Sequence, residues 1–172
     1  MNRLQFQTYI QSRGKSQMAY AGGRGSVRTM KRNPQVIAFM TPFPYSVDLD
    51  APLKDAHALM REHRFRHLPV TSGDSIVGVL TDRDIKLVLG PDFDRPKEEE
   101  LSVRDAYVEQ PCVVSASTPV ATVARTMAEN RIGSAIVAKN GKLVGIFTVT
   151  DACRALAQVL EGQQGEESND AA

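Results

Sequence analysis

Along the central part of the chain the spacing of apolar residues changes in a fixed order, and that order occurs twice. After Asp50-Ala51-Pro52, the residues Leu53, Ala56, Leu59, Met60 and His63 recur at three- and four-residue steps, which predicts an amphipathic helix. Asp50 as a cap residue, an early proline and Asp55 near the positive end mark its start. Two apolar runs follow, His67 to Thr71 and Ser75 to Thr81, parted by Ser72-Gly73-Asp74. They read as antiparallel strands joined by a turn, and Asp82 to Leu89 returns to helical spacing. Upstream, Val36 to Met40 reads as a helical turn that the prolines of Thr41-Pro42-Phe43-Pro44 stop, and Tyr45-Ser46-Val47 as a short extended segment.

The second pass re-enters at Leu101 to Tyr107, extends through Cys112-Val113-Val114 and starts its helix with Ser117-Thr118-Pro119 as cap. Its hairpin is the clearer one, because Ala135 to Ala138 and Lys142 to Thr148 flank Lys139-Asn140-Gly141, and Asn-Gly is the strongest short hairpin signal. A closing helix from Val149 to Leu160 is expected, with Gly162 placed to end it. Laid over one another without a gap at an offset of 67, residues 47–88 and 114–155 share ten identities, among them Pro52/Pro119, Met60/Met127, Arg64/Arg131, Gly78/Gly145, Thr81/Thr148 and Asp84/Asp151. Self-similarity at a fixed period is the first thing to explain in any sequence.

Each copy is thus strand, helix, strand, strand, helix. Neither can bury its helix faces and its sheet face alone, so the two are expected to pack as one pseudo-twofold α+β unit with the sheets facing each other. The expected organisation is a flexible basic N-terminal arm over 1–33, a first repeat over 34–90, an acidic linker over 91–100, a second repeat over 101–160 and an acidic disordered tail over 161–172.

Charge narrows the function classes. The formal net charge of +1 hides seven basic and no acidic residues in 1–47, a near balance in 48–160, and four acids with no base in 161–172. A neutral centre between opposite tails is not a general nucleic-acid binder. Within the arm, Gly22-Gly23-Arg24-Gly25-Ser26 favours flexibility, and Leu4, Phe6, Tyr9 and Ile10 could anchor a short helix. Cys112 and Cys153 stand far apart in apolar runs, so buried, reduced thiols are expected. No stretch has the length of a membrane span and no secretory signal is recognisable, so a cytoplasmic protein is expected, with an organelle transit segment as the alternative.

The chemistry concentrates in Gly78-Val79-Leu80-Thr81-Asp82-Arg83-Asp84 and its copy Gly145-Ile146-Phe147-Thr148-Val149-Thr150-Asp151. In each, Thr-x-x-Asp opens a helix. One reading is a capping box. Another uses the same geometry for a ligand: a helix N-terminus attracts phosphate, a threonine hydroxyl donates to it, and an aspartate accepts from a ribose diol. The two are not exclusive. His57, His63 and His67 form no metal spacing, and nucleophile elbow, Walker loop and dinucleotide fingerprint are all missing from the sequence. No catalytic residue, metal or cofactor is therefore assigned, and an enzyme is not expected.

These half-repeats resemble the two CBS motifs of a CBS-pair (Bateman) module, a family that binds adenosine nucleotides in clefts between its repeats. The family's Gly-h-h-[Ser/Thr]-x-x-Asp ending, with h an apolar residue, stands in both copies, and the resemblance covers roughly 34–160. It implies a stand-alone regulatory module for AMP, ADP, ATP or a related adenosyl ligand. It implies that Thr81 with Asp84, and Thr148 with Asp151, serve separate clefts, that Val79 and Ile146 line base pockets, and that Arg83 and Thr150 reach phosphate. It also implicates the start of the second strand of the opposite repeat. That stretch is Arg66-His67-Leu68-Pro69 in the first repeat and the uncharged Gly133-Ser134-Ala135-Ile136 in the second, so the clefts should be unequal. Arg66 and His67 would serve the Thr148–Asp151 cleft, and Gly133 and Ser134 the Thr81–Asp84 cleft; Pro69, Thr41, Pro44 and Tyr45 complete the candidate set. Read without a ligand, Arg64, Arg66 and His67 are surface charge beside a buried strand. A homodimer is the family expectation. The alternative is a dimeric scaffold with vestigial clefts, recruiting a protein partner through the basic arm or acidic tail.

Overall fold

A computed structural model describes residues 34–90 and 100–167, the side chains of 162–167 excepted. The basic arm, nearly all of the acidic linker and the last residues of the tail lie outside the described residues. The helices are α1 (Leu53–His63), α2 (Asp82–Leu89), α3 (Val120–Asn130) and α4 (Val149–Glu167). The strands are β1 (Thr41–Pro42), β2 (Val47–Asp48), β3 (His67–Ser72), β4 (Ser75–Thr81), β5 (Val108–Glu109), β6 (Val113–Ser115), β7 (Ser134–Lys139) and β8 (Lys142–Thr148). The fold is α+β, with two four-stranded sheets ordered β2-β3-β4-β5 and β1-β8-β7-β6.

Each sheet takes one edge strand from the other repeat. Glu109 of β5 lies opposite Gly78 of β4, and Pro42 of β1 lies opposite Gly145 of β8. The exchange reaches into the helices. Leu53 N donates to Leu101 O and Val103 N to Ala51 O, clamping the start of α1. Val36 N donates to Thr118 O and Val120 N to Pro34 O at the start of α3. Val103 and Ala106 of the second repeat are buried in the first repeat's core with Leu53, Leu68, Leu80 and Ile85. The repeats therefore share their edges, and each covers an edge that the other would leave open. Two-residue strands carry no readable period, which is why the pattern did not announce them.

The exchange corrects two expectations about helix starts. Asp50 and Ser117-Thr118 do not cap their helices: the N-cap residues are Pro52 and Pro119, with no side-chain cap bond. The first N–H of each helix is taken instead by a carbonyl of the exchanged segment, so a side-chain cap has nothing left to satisfy there. Asp50 accepts from the Arg104 guanidinium of the other repeat. Gly78 and Gly145 find their reason in the same place. A Cβ on Gly78 would run into the Tyr107 ring and come within 2.7 Å of Val108 O, and one on Gly145 would run into the Met40 thioether.

Backbone conformation repeats as faithfully as sequence. Positive φ falls at equivalent positions, Phe43 and Gln110, Arg64 and Arg131, Gly73 and Asn140. The last helix departs from expectation: it passes Leu160 and Gly162 and continues to Glu167. Glycine inside a helix costs about 1 kcal/mol relative to alanine, a penalty rather than a prohibition. The thiols also divide. Cys112 is buried, which pushes its thiol up to about 11, whereas Cys153 is exposed on α4, because an apolar run in sequence does not say which helix face a residue occupies. Among the described residues no helix is long and apolar enough to cross a membrane.

Candidate functional site

A cavity of ≈ 790 Å³ opens between the repeats, within the range of about 300–1,000 Å³ that holds small molecules. One wall comes from Thr41 to Tyr45 and His63 to His67, the other from Gly133, Ile146, Thr148 to Asp151, and Arg154. Two local features build it. Pairing of β1 with β8 sets Thr41 opposite Ile146 and carries Thr41 to Tyr45 over the second repeat's sheet. Arg64, in the left-handed region at φ 57, then turns the chain out of α1 so that Phe65, Arg66 and His67 enter β3 along the rim. A non-glycine residue held there costs on the order of 1–2 kcal/mol, and the equivalent Arg131 does the same at φ 55.

The wall carries a stack of rings. Tyr45 and His63 lie 4.4 Å apart between centroids, with Phe65 at 5.8 Å from Tyr45 and 6.0 Å from His63. Pro69 is the reason Tyr45 is available. In the second repeat Ile136 N donates to Cys112 O at 2.7 Å, and Cys112 is buried. The equivalents at the repeat offset are Pro69 and Tyr45, and proline has no N–H to give. Parallel pairing in the first repeat begins only at Val47, and Tyr45 is half exposed over the cavity. Pro69 itself does not line the wall, contrary to expectation: its side chain is fully buried.

At the start of α4 the Thr-x-x-Asp motif is a complete capping box. The Asp151 carboxylate accepts from Thr148 N at 2.9 Å and from the Thr148 hydroxyl at 2.7 Å, while Asp151 N donates to that hydroxyl at 3.4 Å. Asp151 is only 5% exposed and its other oxygen accepts from Arg154 Nη1 at 2.9 Å. Capping and a place on the cavity wall thus coexist in one residue pair. Thr81 and Asp84 make two of these three bonds at α2, the hydroxyl donating to the carboxylate and Asp84 N to the hydroxyl.

The structure brings Arg66, His67, Thr41, Pro44 and Tyr45 together with Ile146, Thr148, Thr150 and Asp151. It leaves Val79, Thr81, Arg83 and Asp84 outside this cavity. Ser134 is buried in β7 and off the wall. Gly133 is on the wall with Thr148 and Asp151. The cause is sheet adjacency: Ser134 pairs with Thr148, Gly133 O accepts from Val149 N, and the His67 ring occupies the space over Gly133, with Nε2 2.5 Å from where a Cβ would stand. Sequence reasoning missed His63, Phe65 and Arg154. Arg154 could have been found, since the first repeat has Leu87 at the equivalent position.

Five basic side chains, those of His63, Arg64, Arg66, His67 and Arg154, face one acid, Asp151. Burial lowers the His67 pKa from its ordinary 6.5, Arg66 lowers it further, and Asp84 pulls it back up. His67 is therefore neutral near pH 7 and does not titrate at its unperturbed value. A depressed folded-state pKa means that the unfolded chain takes up the proton first. The ligand-free protein should lose stability as pH falls below 6.5 toward the folded-state pKa. Thermal midpoints at pH 7.5 and 5.5 should converge in His67→Gln; an unchanged pH dependence in that variant would assign the loss elsewhere.

The family model of the CBS domain matches the chain twice, over residues 36–90 and 103–158. The chain belongs to the CBS-domain family. Its two CBS domains contribute one wall each to the cavity. A zinc metalloprotease of Methanocaldococcus jannaschii is 30% identical over 131 residues, which are 76% of this chain but 34% of that protein, so the chain spans about a third of that relative. The crystal structure of CBSX2 in complex with AMP is 31% identical, with a TM-score of 0.62 over 73% of this chain and 97% of that one. The CBS domain of the bacterial CNNM/CorC family Mg2+ transporter in complex with ATP is 26% identical, with a TM-score of 0.59 over 68% of this chain and 82% of that one. Among the described residues of this CBS pair no group of three or more His, Cys, Asp or Glu side chains could hold a metal ion.

Proposed function

We propose that this CBS pair is a regulatory module that binds an adenosine nucleotide in the cavity between its repeats. One observation carries the reading: a carboxylate at a helix start, Asp151, faces cationic side chains of the opposite repeat, Arg64 and Arg66, across a cavity of nucleotide size. Asp151 takes the ribose hydroxyls, the start of α4 with Thr148 and Thr150 meets the phosphates, and Arg66 and His67 reach them from the other side. Ile146 with Thr41, Pro44 and Tyr45 encloses the base. Thr81, Asp84, Val79 and Arg83 form a second, weaker site. The AMP and ATP bound by the two solved relatives support the ligand class.

Calorimetric titration tests this. Affinity should rise from AMP to ADP to ATP, and Arg66→Ala should flatten that rise, with a loss of roughly tenfold for ATP and less for AMP, as one charge-assisted hydrogen bond is worth about 1.5–3 kcal/mol. No heat with any of the three nucleotides would refute the reading. Exposed Leu87 and Val88 on α2, and Leu156 and Leu160 on α4, support association of two modules through these helices. Light scattering on the same samples decides that: a monomer at tens of micromolar removes the dimer, while a dimer that binds no nucleotide favours the scaffold.

A further inference from the structure

Asp151 is not waiting open for a ribose. Its Oδ1 already accepts from Arg154, one turn further along α4, and its Oδ2 is engaged by Thr148. The carboxylate is nearly buried, whereas the guanidinium is largely exposed and lines the same cavity. Any ligand that uses Oδ1 must displace Arg154, and the displaced cation stays tethered beside Thr150 at the mouth of the helix. The first repeat has no such group, because Leu87 stands there.

We propose that Arg154 is a specificity-determining residue that makes this cavity accept adenosine compounds only when they carry an anionic phosphate. The inference rests on the nucleotide reading above. With a nucleotide, the diol takes Oδ1 and Arg154 swings onto the phosphate, exchanging one charge-assisted bond for another. With uncharged adenosine, or with S-adenosylmethionine and its added positive charge, the ion pair is broken and the freed cation finds no anion. Discrimination then comes from what the wrong ligand leaves unpaired as much as from what the right one gains.

The test is titration of AMP and adenosine into the wild type, Arg154→Leu and Arg154→Lys. Arg154→Leu, which installs the first repeat's residue, should weaken AMP about tenfold and strengthen adenosine severalfold, the size of one charge-assisted contact. Arg154→Lys should keep most of the discrimination. Because Arg154 is largely exposed, all three proteins should melt within a few degrees of one another, and thermal denaturation verifies that the comparison is between folded proteins. Opposite shifts for the two ligands support the proposal. Equal shifts, or an unchanged ratio in Arg154→Leu, overturn it and leave nucleotide binding standing. A wild type that binds neither AMP nor ATP overturns the nucleotide reading, and this inference with it.

Discussion

Asp151→Ala should abolish nucleotide binding in the cavity, whereas Asp84→Ala should leave it within a factor of a few. The aspartates occupy equivalent positions and share two capping bonds with their threonines, so the cost of losing those, about 1 kcal/mol, is common to both variants. They differ in surroundings: Asp151 is on the cavity wall opposite Arg64 and Arg66, and Asp84 is not. Removing two charge-assisted acceptor contacts to a ribose should weaken binding by roughly a hundredfold or more. Calorimetry with ATP on both variants, each shown by thermal denaturation to be folded, measures it. If Asp151→Ala binds like the wild type, the residue is a structural cap and the ribose assignment is wrong.

The largest effect on stability is expected at Gly78. A methyl group there meets the Tyr107 ring and the Val108 carbonyl oxygen, and the latter belongs to backbone whose place is set by pairing with β4. The nearest atoms to a methyl group on Gly145 are all of the Met40 thioether, on an unbranched side chain with several rotatable bonds. Overpacking of this kind typically costs about 1–3 kcal/mol when neighbours cannot yield. Gly78→Ala should sit in that range or above it and Gly145→Ala well below, as read by urea denaturation. Because Gly78 holds the edge strand donated by the second repeat, its substitution should also reduce cooperativity between the two halves. Equal costs at both glycines would mean that the two exchanged strands are equally compliant.

Much of this was legible without coordinates, for identifiable reasons. The hairpins depend on turns a few residues long, so Ser72-Gly73-Asp74 and Lys139-Asn140-Gly141 announced them. The helices α1 and α3 bury stripes at three- and four-residue spacing, and α2 and α4 open on Thr-x-x-Asp, whose bonds span three residues. The repeat at a fixed offset implied two equivalent units, and the family model matches the chain twice.

What the sequence could not supply were the features that depend on residues distant along the chain. The caps at Asp50 and Ser117 were misread because the carbonyls that do their work, Leu101 and Pro34, come from the other repeat. Gly133 joins the wall with Thr148 and Asp151 because its place follows from sheet adjacency. Pro69 was read as a contact, when its effect is a hydrogen bond that cannot form and a tyrosine left over the cavity in consequence. Arg154 differs: its pairing with Asp151 is local and its departure from Leu87 stands in the sequence, and only its place on the cavity wall comes from residues of the other repeat. Local order was written in the sequence because turns, caps and apolar periods act over a few residues. The site was decided by tertiary structure, because exchanging edge strands between the repeats sets which side chains from opposite halves of the chain share one cavity.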